Sequence, residues 1–142
     1  MINNVNNITG KLIGIDFSTA IIEVLQKNNN NENILYEVMD ARNLTYENNL
    51  FDIVIDKGTI DAMICSDNWN ENVESILNEM CRVLKTEGQI VIVSHLHFES
   101  DEFQEIMNDI LVPILENYST NRVWNIDVHC TESSQYNNNE ED

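Results

Sequence analysis

The sequence predicts an α/β domain: a mostly parallel sheet with helices on both faces. Short runs rich in isoleucine and valine, such as "FDIVID" (51–56) and "QIVIVS" (89–94), show little alternation, which is typical of strands covered on both faces. Amphipathic segments with helical spacing separate these runs. Strands that alternate with helices of about 10 to 15 residues favour a parallel sheet.

The first part of the chain supplies two strands with a helix between them. "KLIGID" (11–16) and "NILYEVM" (33–39) are β-type runs. Ser18 is the predicted N-cap of the intervening helix, "STAIIEVLQK". The apolar residues of this helix recur at helical spacing: Ile21, Ile22 and Leu25. Asparagine-rich tracts on either side mark loops.

Two longer helices are predicted further on. The segment Glu71–Lys85 carries one apolar stripe, and Gly88 follows it as a helix-ending signal before the strand "QIVIVS". A third helix begins near Ser100. Pro113 lies inside this helix and should kink or divide it, because proline removes a backbone donor and crowds the preceding turn.

The end of the chain predicts one more strand and then a tail. "RVWNIDVHC" (122–130) alternates apolar and polar residues, so it is interpreted as an antiparallel or edge strand. Residues 131–142, "TESSQYNNNEED", have almost no apolar side chains and are predicted to be a disordered acidic tail. The domain is therefore expected to cover residues 1–130, in the order β-α-β-loop-β-α-β-α-β.

The charge balance restricts the classes of partner. With 25 acidic residues against 7 basic ones, the formal net charge is −18. Such a field repels phosphate backbones and attracts cations or basic proteins, which makes nucleic acid an improbable partner. The alternative that acidity only keeps the protein soluble remains open.

The cysteine pattern and the hydropathy of the chain predict the compartment. The three cysteines match no disulfide framework or zinc pattern, so we expect free thiols in a reducing, cytoplasmic compartment. No segment approaches the roughly 18 to 20 apolar residues of a membrane-spanning helix. The first ten residues, "MINNVNNITG", lack the features of a signal peptide. No membrane association is predicted.

Acidic residues stand where three of the predicted strands end. Asp16, Asp40 and Asp56 follow "KLIGI", "LYEVM" and "FDIVI". Ligands of open α/β sheets bind outside the carboxyl ends of the strands, and a carboxylate there can accept hydrogen bonds from ribose hydroxyls. Each aspartate could equally be a helix cap. Three of them in one sheet favour a binding crevice over three independent caps.

Four motifs in order carry a resemblance to a known family: "IGIDFS", "EVMDARNL", "FDIVIDKGTIDAM" and "EMCRVLKTEGQIVIVS". The segment from about Lys11 to Ser94 resembles class I methyltransferases that use S-adenosylmethionine and have a Rossmann-like fold. More narrowly, "DKGTIDAM" and "RVLKTEG" are similar to the group containing the elongation factor 1-alpha lysine methyltransferases.

The resemblance implies a cofactor site on the first two strands. Asp16 would hold the ribose hydroxyls of S-adenosylmethionine, and Phe17 would lie near the adenosine. Asp40 matches the acidic residue that takes the adenine amino group. The backbone N–H of Ala41 would face the ring.

The resemblance also implies a methyl-transfer site at the end of the third predicted strand. Asp56, Lys57, Gly58 and Thr59 match the motif that lies under the methionine end of the cofactor and faces the substrate. Glycine fits this place because a residue without Cβ lets the backbone approach a ligand closely. We expect Asp56, which would also contact the cofactor, or Asp61 one turn later, to orient an acceptor amine. Either carboxylate could accept its proton through water.

Two parts of the family pattern lack counterparts in the sequence. No glycine-rich loop precedes "KLIGID", and no apolar run follows "RVWNIDVHC" to supply the family's last strand. We expect either a truncated chain, or a member completed by a partner or by self-association through exposed sheet edges. In the sheet, "KLIGID" would either pair directly with "FDIVID" or leave a gap beside it.

The predicted function is an S-adenosylmethionine-dependent methyltransferase that acts on a lysine or terminal amine of a basic protein, such as a translation elongation factor. A non-catalytic pseudo-methyltransferase that serves as an interaction module is the alternative. A nucleotide-dependent dehydrogenase is a third and weaker option. His95 and His97 form an H-x-H pair without a clear third ligand, so no metal site is predicted.

Overall fold

The computed structural model of the chain describes residues 10–119 and 122–129. Four strands, five α-helices and one π-helical segment follow one another in these residues: β1 (Leu12–Asp16), α1 (Thr19–Asn28), β2 (Ile34–Val38), β3 (Phe51–Lys57), α2 (Thr59–Ile64), α3 (Trp69–Val83), β4 (Leu84–Val93), α4 (Asp101–Glu105), the π segment (Ile106–Leu111) and α5 (Val112–Asn117). The predicted tail, 131–142, lies outside the described residues. The predicted domain boundary therefore stays a prediction.

The strands form two parallel pairs, β1 with β2 and β3 with β4. Asp16 stands opposite Val38 in the first pair, and Asp56 opposite Ile92 in the second. Within the described residues no ladder of hydrogen bonds joins β1 to β3. The expected α/β class with parallel strands is confirmed. The expectation that "KLIGID" pairs with "FDIVID" is wrong, and the expected gap is present instead.

One face of β3 carries exposed apolar side chains. Val54 and Asp56 face the protein interior, whereas Ile53 and Ile55 are 53% and 65% exposed on the other face. The gap also leaves one backbone edge of β3 without a described neighbour, and such an edge favours pairing with a second chain. The self-association expected from the sequence remains a prediction.

Helix α1 begins where the sequence predicts. The Ser18 hydroxyl accepts a hydrogen bond from the Ile21 backbone N–H at 3.4 Å, which satisfies one of the unpaired donors of the first turn. Ile22 is buried, so the apolar side of the helix packs inward. Ser18 is thereby confirmed as the N-cap.

The core forms around α3. Its buried residues pack against the π segment and α5, and the cluster contains Ile60, Val73, Ile76, Leu77, Met80, Cys81, Ile106, Ile110, Ile114 and Leu115. Cys81 and Cys65 are both free thiols. Burial raises the pKa of the Cys81 thiol to about 11, so it stays protonated and behaves as a small apolar side chain.

The junction between α3 and β4 differs from the sequence prediction. Helix α3 ends at Val83 and β4 begins at Leu84, so Gly88 lies inside the strand instead of ending the helix. Phe51 pairs with Leu84 but Ile53 pairs with Gln89, so a bulge separates the two registers. A Cβ at Gly88 would lie 2.8 Å from the Asp52 carbonyl oxygen and 2.6 Å from a Leu84 methyl carbon. The glycine therefore permits close approach of backbone to backbone.

The last helical region is divided near its proline, as predicted. The Ser100 hydroxyl caps α4 by accepting from the Phe103 backbone N–H at 3.2 Å. The Val112 N–H then bonds to the Met107 carbonyl, five residues back, which marks the widened π turn. Pro113 follows in α5, which continues directly from the π segment, so the widened turn lies where the proline removes a backbone donor.

The strand predicted over 122–130 is wrong for the residues that the structure describes, because 122–129 form no strand. Its backbone joins no strand, and two of its side chains contact the core. The Arg122 guanidinium donates to the Cys81 carbonyl at 2.9 Å and to the Leu84 carbonyl at 2.6 Å. Trp124 packs against the core cluster. Alternation alone does not make a strand where no neighbouring strand offers its backbone.

The loop after β2 is fastened to α3 by an interaction that we call the Arg82 cluster: Arg82 and Glu79 with the backbone of Leu44 and Tyr46. Arg82 donates to the carbonyls of Leu44 at 3.0 Å and Tyr46 at 2.8 Å. Glu79 accepts from the Leu44 N–H at 2.6 Å and pairs with Arg82 at 2.7 Å. The hydrogen bonds from Arg82 lower the pKa of Glu79. This cluster connects the β1–α1–β2 unit to the core.

None of the helices in residues 10–119 and 122–129 has the length and apolar character needed to cross a membrane.

We expect Gly88→Ala to lower the free energy of unfolding by about 1 to 3 kcal/mol, because the new methyl group would overlap the Asp52 carbonyl and Leu84. Urea unfolding followed by circular dichroism measures the change. Gly10→Ala is the matched control, since a Cβ there would meet no atom within 4 Å. Equal midpoints for both variants would contradict the close-packed bulge.

Replacing Arg82 by lysine should lower the free energy of unfolding by about 1.5 to 3 kcal/mol. An ammonium group cannot make the forked contacts to Glu79 and to two carbonyls. Arg42→Lys is the control, because its contacts to Asp40 and to Asn72 of α3 are both exposed and such contacts contribute little. Urea unfolding of both variants checks the difference. A loss no larger for Arg82→Lys than for Arg42→Lys would show that the cluster does not fasten the loop.

Candidate functional site

The predicted site residues lie at the carboxyl ends of the strands. Asp16 ends β1, Asp40 follows β2, and Asp56 and Lys57 end β3. Ser94 follows the end of β4, and β3 and β4 are parallel, so their carboxyl ends share one edge. This is the edge at which open α/β sheets bind ligands.

Asp16 is oriented by the backbone at the start of α1. Its Oδ1 accepts a hydrogen bond from the Ser18 N–H at 2.7 Å. Its second oxygen makes no hydrogen bond among the described residues. Phe17 stands next to it with 78% of its surface exposed. A carboxylate with one available oxygen and an exposed ring therefore lie side by side at the end of β1.

Asp40 is engaged by Arg42. The Arg42 Nη2 lies 2.7 Å from Oδ2, and the Arg42 backbone N–H donates to Oδ1 at 2.9 Å. The hydrogen bonds from Arg42 lower the pKa of Asp40. Ala41 packs partly buried against the core. Any amino group that reaches Asp40 would have to share its carboxylate with Arg42.

Asp56 is the buried charged residue of the described chain, with 6% of its surface exposed. Its Oδ2 accepts from the Ile60 N–H at 3.3 Å, in the first turn of α2. Burial raises the pKa of Asp56, while the hydrogen bonds from Thr59 and Ile60 counteract part of that rise. Asp56 thus serves α2 as a cap.

Gly58 turns the chain between β3 and α2 with φ of 86°, in the left-handed region that favours glycine. Apart from its chain neighbours, no atom of residues 10–119 and 122–129 lies within 4 Å of the place where its Cβ would be. The turn is therefore open on that side. Lys57, just before it, is exposed.

Asp61 connects α2 to the end of β4. Its Oδ1 accepts from the Ser94 hydroxyl. Its Oδ2 lies 3.2 Å from the His95 backbone N and 2.8 Å from His95 Nδ1. Burial acts to raise the pKa of Asp61, but the hydrogen bonds from Ser94 and His95 outweigh it and hold the pKa below its usual range. The Asp61 side chain is 10% exposed and that of His95 is 78% exposed.

The structure brings the predicted residues together in three groups. Asp56, Gly58, Thr59 and Asp61 lie around the first turn of α2, and Ser94 and His95 join them. Asp16 stands with Phe17, and Asp40 with Arg42 and Ala41. No hydrogen bond links the three groups within the described residues. Sequence analysis missed the contact of Asp61 with Ser94 and His95, although both follow a strand at the same edge.

Residues 10–119 and 122–129 contain no group of three or more histidine, cysteine, aspartate or glutamate side chains arranged to hold a metal ion.

We expect Asp56→Asn to raise the free energy of unfolding at neutral pH, by on the order of 1 kcal/mol. An asparagine keeps an acceptor for the Ile60 N–H but removes the buried charge. The pKa of Asp56 is raised in the folded state, so its cost is present when the carboxyl is charged and disappears as pH falls through that pKa. Urea unfolding over a range of pH should therefore show the largest gain at neutral pH.

Asp52→Asn is the matched control, since Asp52 is an exposed strand residue paired with Lys85. It should change stability little at any pH. An Asp56→Asn gain that does not shrink on acidification would contradict a buried, charged carboxyl at position 56.

Comparison with known proteins identifies the family. A family model described as "Methyltransferase domain" matches residues 2–138. The eEF1A lysine and N-terminal methyltransferase of Xenopus laevis is 33% identical over 87 residues, which cover 58% of this chain and 13% of that protein. The EEF1A lysine methyltransferase 4 of Mus musculus is 30% identical over 86 residues, covering 54% of this chain and 34% of that protein.

A solved structure supports the fold. A chain in the complex between the Haloferax volcanii Trm112 methyltransferase activator and a methyltransferase superposes with a TM-score of 0.50 at 19% identity. The superposition covers 71% of this chain and 42% of that one. The chain aligns with about a third or less of the length of the two curated relatives described above. Since the family model spans nearly the whole sequence, the chain belongs to the methyltransferase-domain family.

Proposed function

We propose that this chain transfers a methyl group from S-adenosylmethionine to a lysine amine of a basic protein. The observation that carries the proposal is the cluster at the carboxyl edge of β3 and β4, where two carboxylates flank an open glycine turn. The family supplies the reaction class. A lysine acceptor is supported by the names of the Xenopus and mouse relatives, both lysine methyltransferases.

The residues of β1 fit the cofactor. When bound, S-adenosylmethionine supplies a methyl group on a positively charged sulfur. The available oxygen of Asp16 suits a ribose hydroxyl, and the exposed ring of Phe17 offers an apolar surface to adenosine. Asp40 fits less well, because Arg42 occupies both of its oxygens. Its predicted role at the adenine amino group requires Arg42 to move or to share the carboxylate.

The acidic groups of the chain act on the acceptor. A lysine amine must lose a proton before it can attack, and its pKa in water is about 10.4. Carboxylates at the edge attract the ammonium form and orient it. Asp61 is ionised, because its pKa is held below the usual range, whereas burial of Asp56 raises its pKa. The charge of Asp61 therefore attracts the incoming amine, while Ser94 and His95 already occupy both of its oxygens.

The partner is proposed to be a basic protein, such as a translation elongation factor. The formal net charge of −18 favours association with a positively charged surface. The relatives carry eEF1A in their names. Such attraction would speed encounter more than it would tighten the final complex.

A second candidate is a non-catalytic interaction module. The specific observations in its favour are that Arg42 already binds Asp40 and that β1 and β3 are not paired in the described residues. Both would weaken cofactor binding. The acidic surface would then dock a basic partner without chemistry.

Isothermal titration calorimetry with S-adenosylmethionine separates the two candidates. We expect micromolar binding that Asp16→Ala weakens by at least about tenfold, as expected for the loss of hydrogen bonds to a charged group. Asp52→Ala is the control. It removes an exposed carboxylate of β3 and should bind the cofactor like the unmodified chain. No detectable heat at millimolar cofactor would favour the interaction module.

Methyl transfer is then measured with tritium-labelled S-adenosylmethionine and purified elongation factor 1A. Mass spectrometry should locate the added methyl groups on lysine. Binding of cofactor with label found only on other residues would overturn the lysine proposal while leaving the methyltransferase assignment.

A further inference from the structure

His95 and His97 lie two residues apart after β4 and are held by opposite kinds of hydrogen bond. The Nδ1 of His95 faces a carboxylate oxygen of Asp61 at 2.8 Å. The Nδ1 of His97 accepts from the Glu99 backbone N–H at 3.3 Å. A carboxylate can only accept and an N–H can only donate, so the two imidazoles must carry their protons on different nitrogens.

The contact with Asp61 fixes a proton on Nδ1 of His95. In the neutral imidazole Nε2 then carries the lone pair. Neutral His97 has the reverse arrangement, with the proton on Nε2. In the part of the chain that the structure describes, Asp61 is the charged side chain in contact with His95, and Asp56 lies close enough to act on Asp61 through space.

We propose that His95 is the general base of the methyl transfer, with Asp61 as its positioning residue. This inference rests on the proposed function and deepens it, because it replaces a carboxylate acting through water with an imidazole that can contact the amine directly. Nucleophile activation by a histidine that a carboxylate orients is a recurrent arrangement in enzymes.

The location of His95 suits this role. It follows β4 at the carboxyl edge shared with β3, two residues after Val93, which pairs with Lys57 at the start of the Gly58 turn. Most of its side chain is exposed, whereas its partner Asp61 is nearly covered. A second hydrogen bond, from the Ser94 hydroxyl, holds the other Asp61 oxygen. Asp61 therefore orients the imidazole at Nδ1, and the rest of the ring is accessible to an acceptor amine.

The proposed step balances as follows. An Nζ–H bond of the lysine ammonium breaks, and the proton forms a new bond to Nε2 of His95. The freed lone pair of Nζ forms a bond to the methyl carbon of the donor. The carbon–sulfur bond breaks, and its electron pair stays on sulfur, which becomes a neutral thioether. The imidazolium returns its proton to water.

Removal of water favours the proton transfer. In water an ammonium with a pKa of about 10.4 gives its proton to an imidazole, with a pKa of about 6.5, only unfavourably. Loss of water around the amine disfavours its charged form, which acts in the direction that the step requires. The Asp61 carboxylate holds the imidazole ring in place at 2.8 Å.

Nuclear magnetic resonance tests the chemical state without relying on activity. Long-range ¹H–¹⁵N correlation spectra of the chain labelled at histidine should show His95 protonated on Nδ1 and His97 protonated on Nε2 at neutral pH. Asp61→Ala should remove the preference of His95 and leave His97 unchanged. The same tautomer at both histidines would overturn the inference.

Kinetics test the role. With S-adenosylmethionine and elongation factor 1A, His95→Gln should lower kcat by about 10² or more, the usual contribution of a general base, with KM for the cofactor unchanged. His97→Gln is the matched control and should keep the wild-type kcat.

Asp61→Asn separates charge from shape. The variant should fold and lower kcat without changing KM for the cofactor, because an amide holds the His95 ring less firmly than a carboxylate does. Wild-type kcat in His95→Gln would overturn the role of His95 and leave the proposed function standing. An inactive wild-type chain that binds the cofactor would overturn both, since the base would have no reaction to serve.

Discussion

The Arg82 cluster is the constraint on which the arrangement of the site depends. The two strand pairs share no ladder in the described residues, so backbone hydrogen bonding between strands does not hold β1 and β2 beside β3 and β4. The guanidinium of Arg82 and the carboxylate of Glu79 bind the backbone of the loop after β2 to α3. Asp16 and Asp40 therefore keep their places relative to Asp56 through side chains of one helix.

The aspartates at the strand ends have separate physical roles. Asp56 is buried and caps α2, and its pKa is raised. Asp61 is ionised and holds an exposed histidine. Asp40 is ionised and paired with Arg42, and Asp16 keeps one oxygen available. Similar positions in a sheet thus give carboxylates suited to structure, to orientation or to ligand binding, according to what surrounds each.

Much of the fold followed from local signals. Ser18 and Ser100 cap helices because a hydroxyl at that position satisfies backbone donors whatever the rest of the chain does. The location of the aspartates at strand ends could be predicted, because paired parallel strands bring their carboxyl ends to the same edge. These features depend on a few neighbouring residues.

Other features depend on contacts between distant residues. Gly88 carries the same local signal as a helix end, yet it serves a bulge opposite Asp52. Residues 122–129 alternate like a strand, but the backbone of a partner strand is needed to make one. The contact of Asp61 with His95 depends on where α2 places its first turn against the end of β4, which no residue pattern specifies.

The placement of the arginines also determines how the protein responds to salt. Arg42, Arg82, Arg122 and Lys85 are each bound to acceptors of the chain itself, leaving Lys11, Lys27 and Lys57 to balance an excess of carboxylates. Ions screen exposed charges over roughly 8 Å at physiological ionic strength, while partly buried pairs are screened much less. Rising salt therefore relieves repulsion within the fold and would weaken attraction to the proposed basic partner. Folding and docking respond to ionic strength in opposite directions.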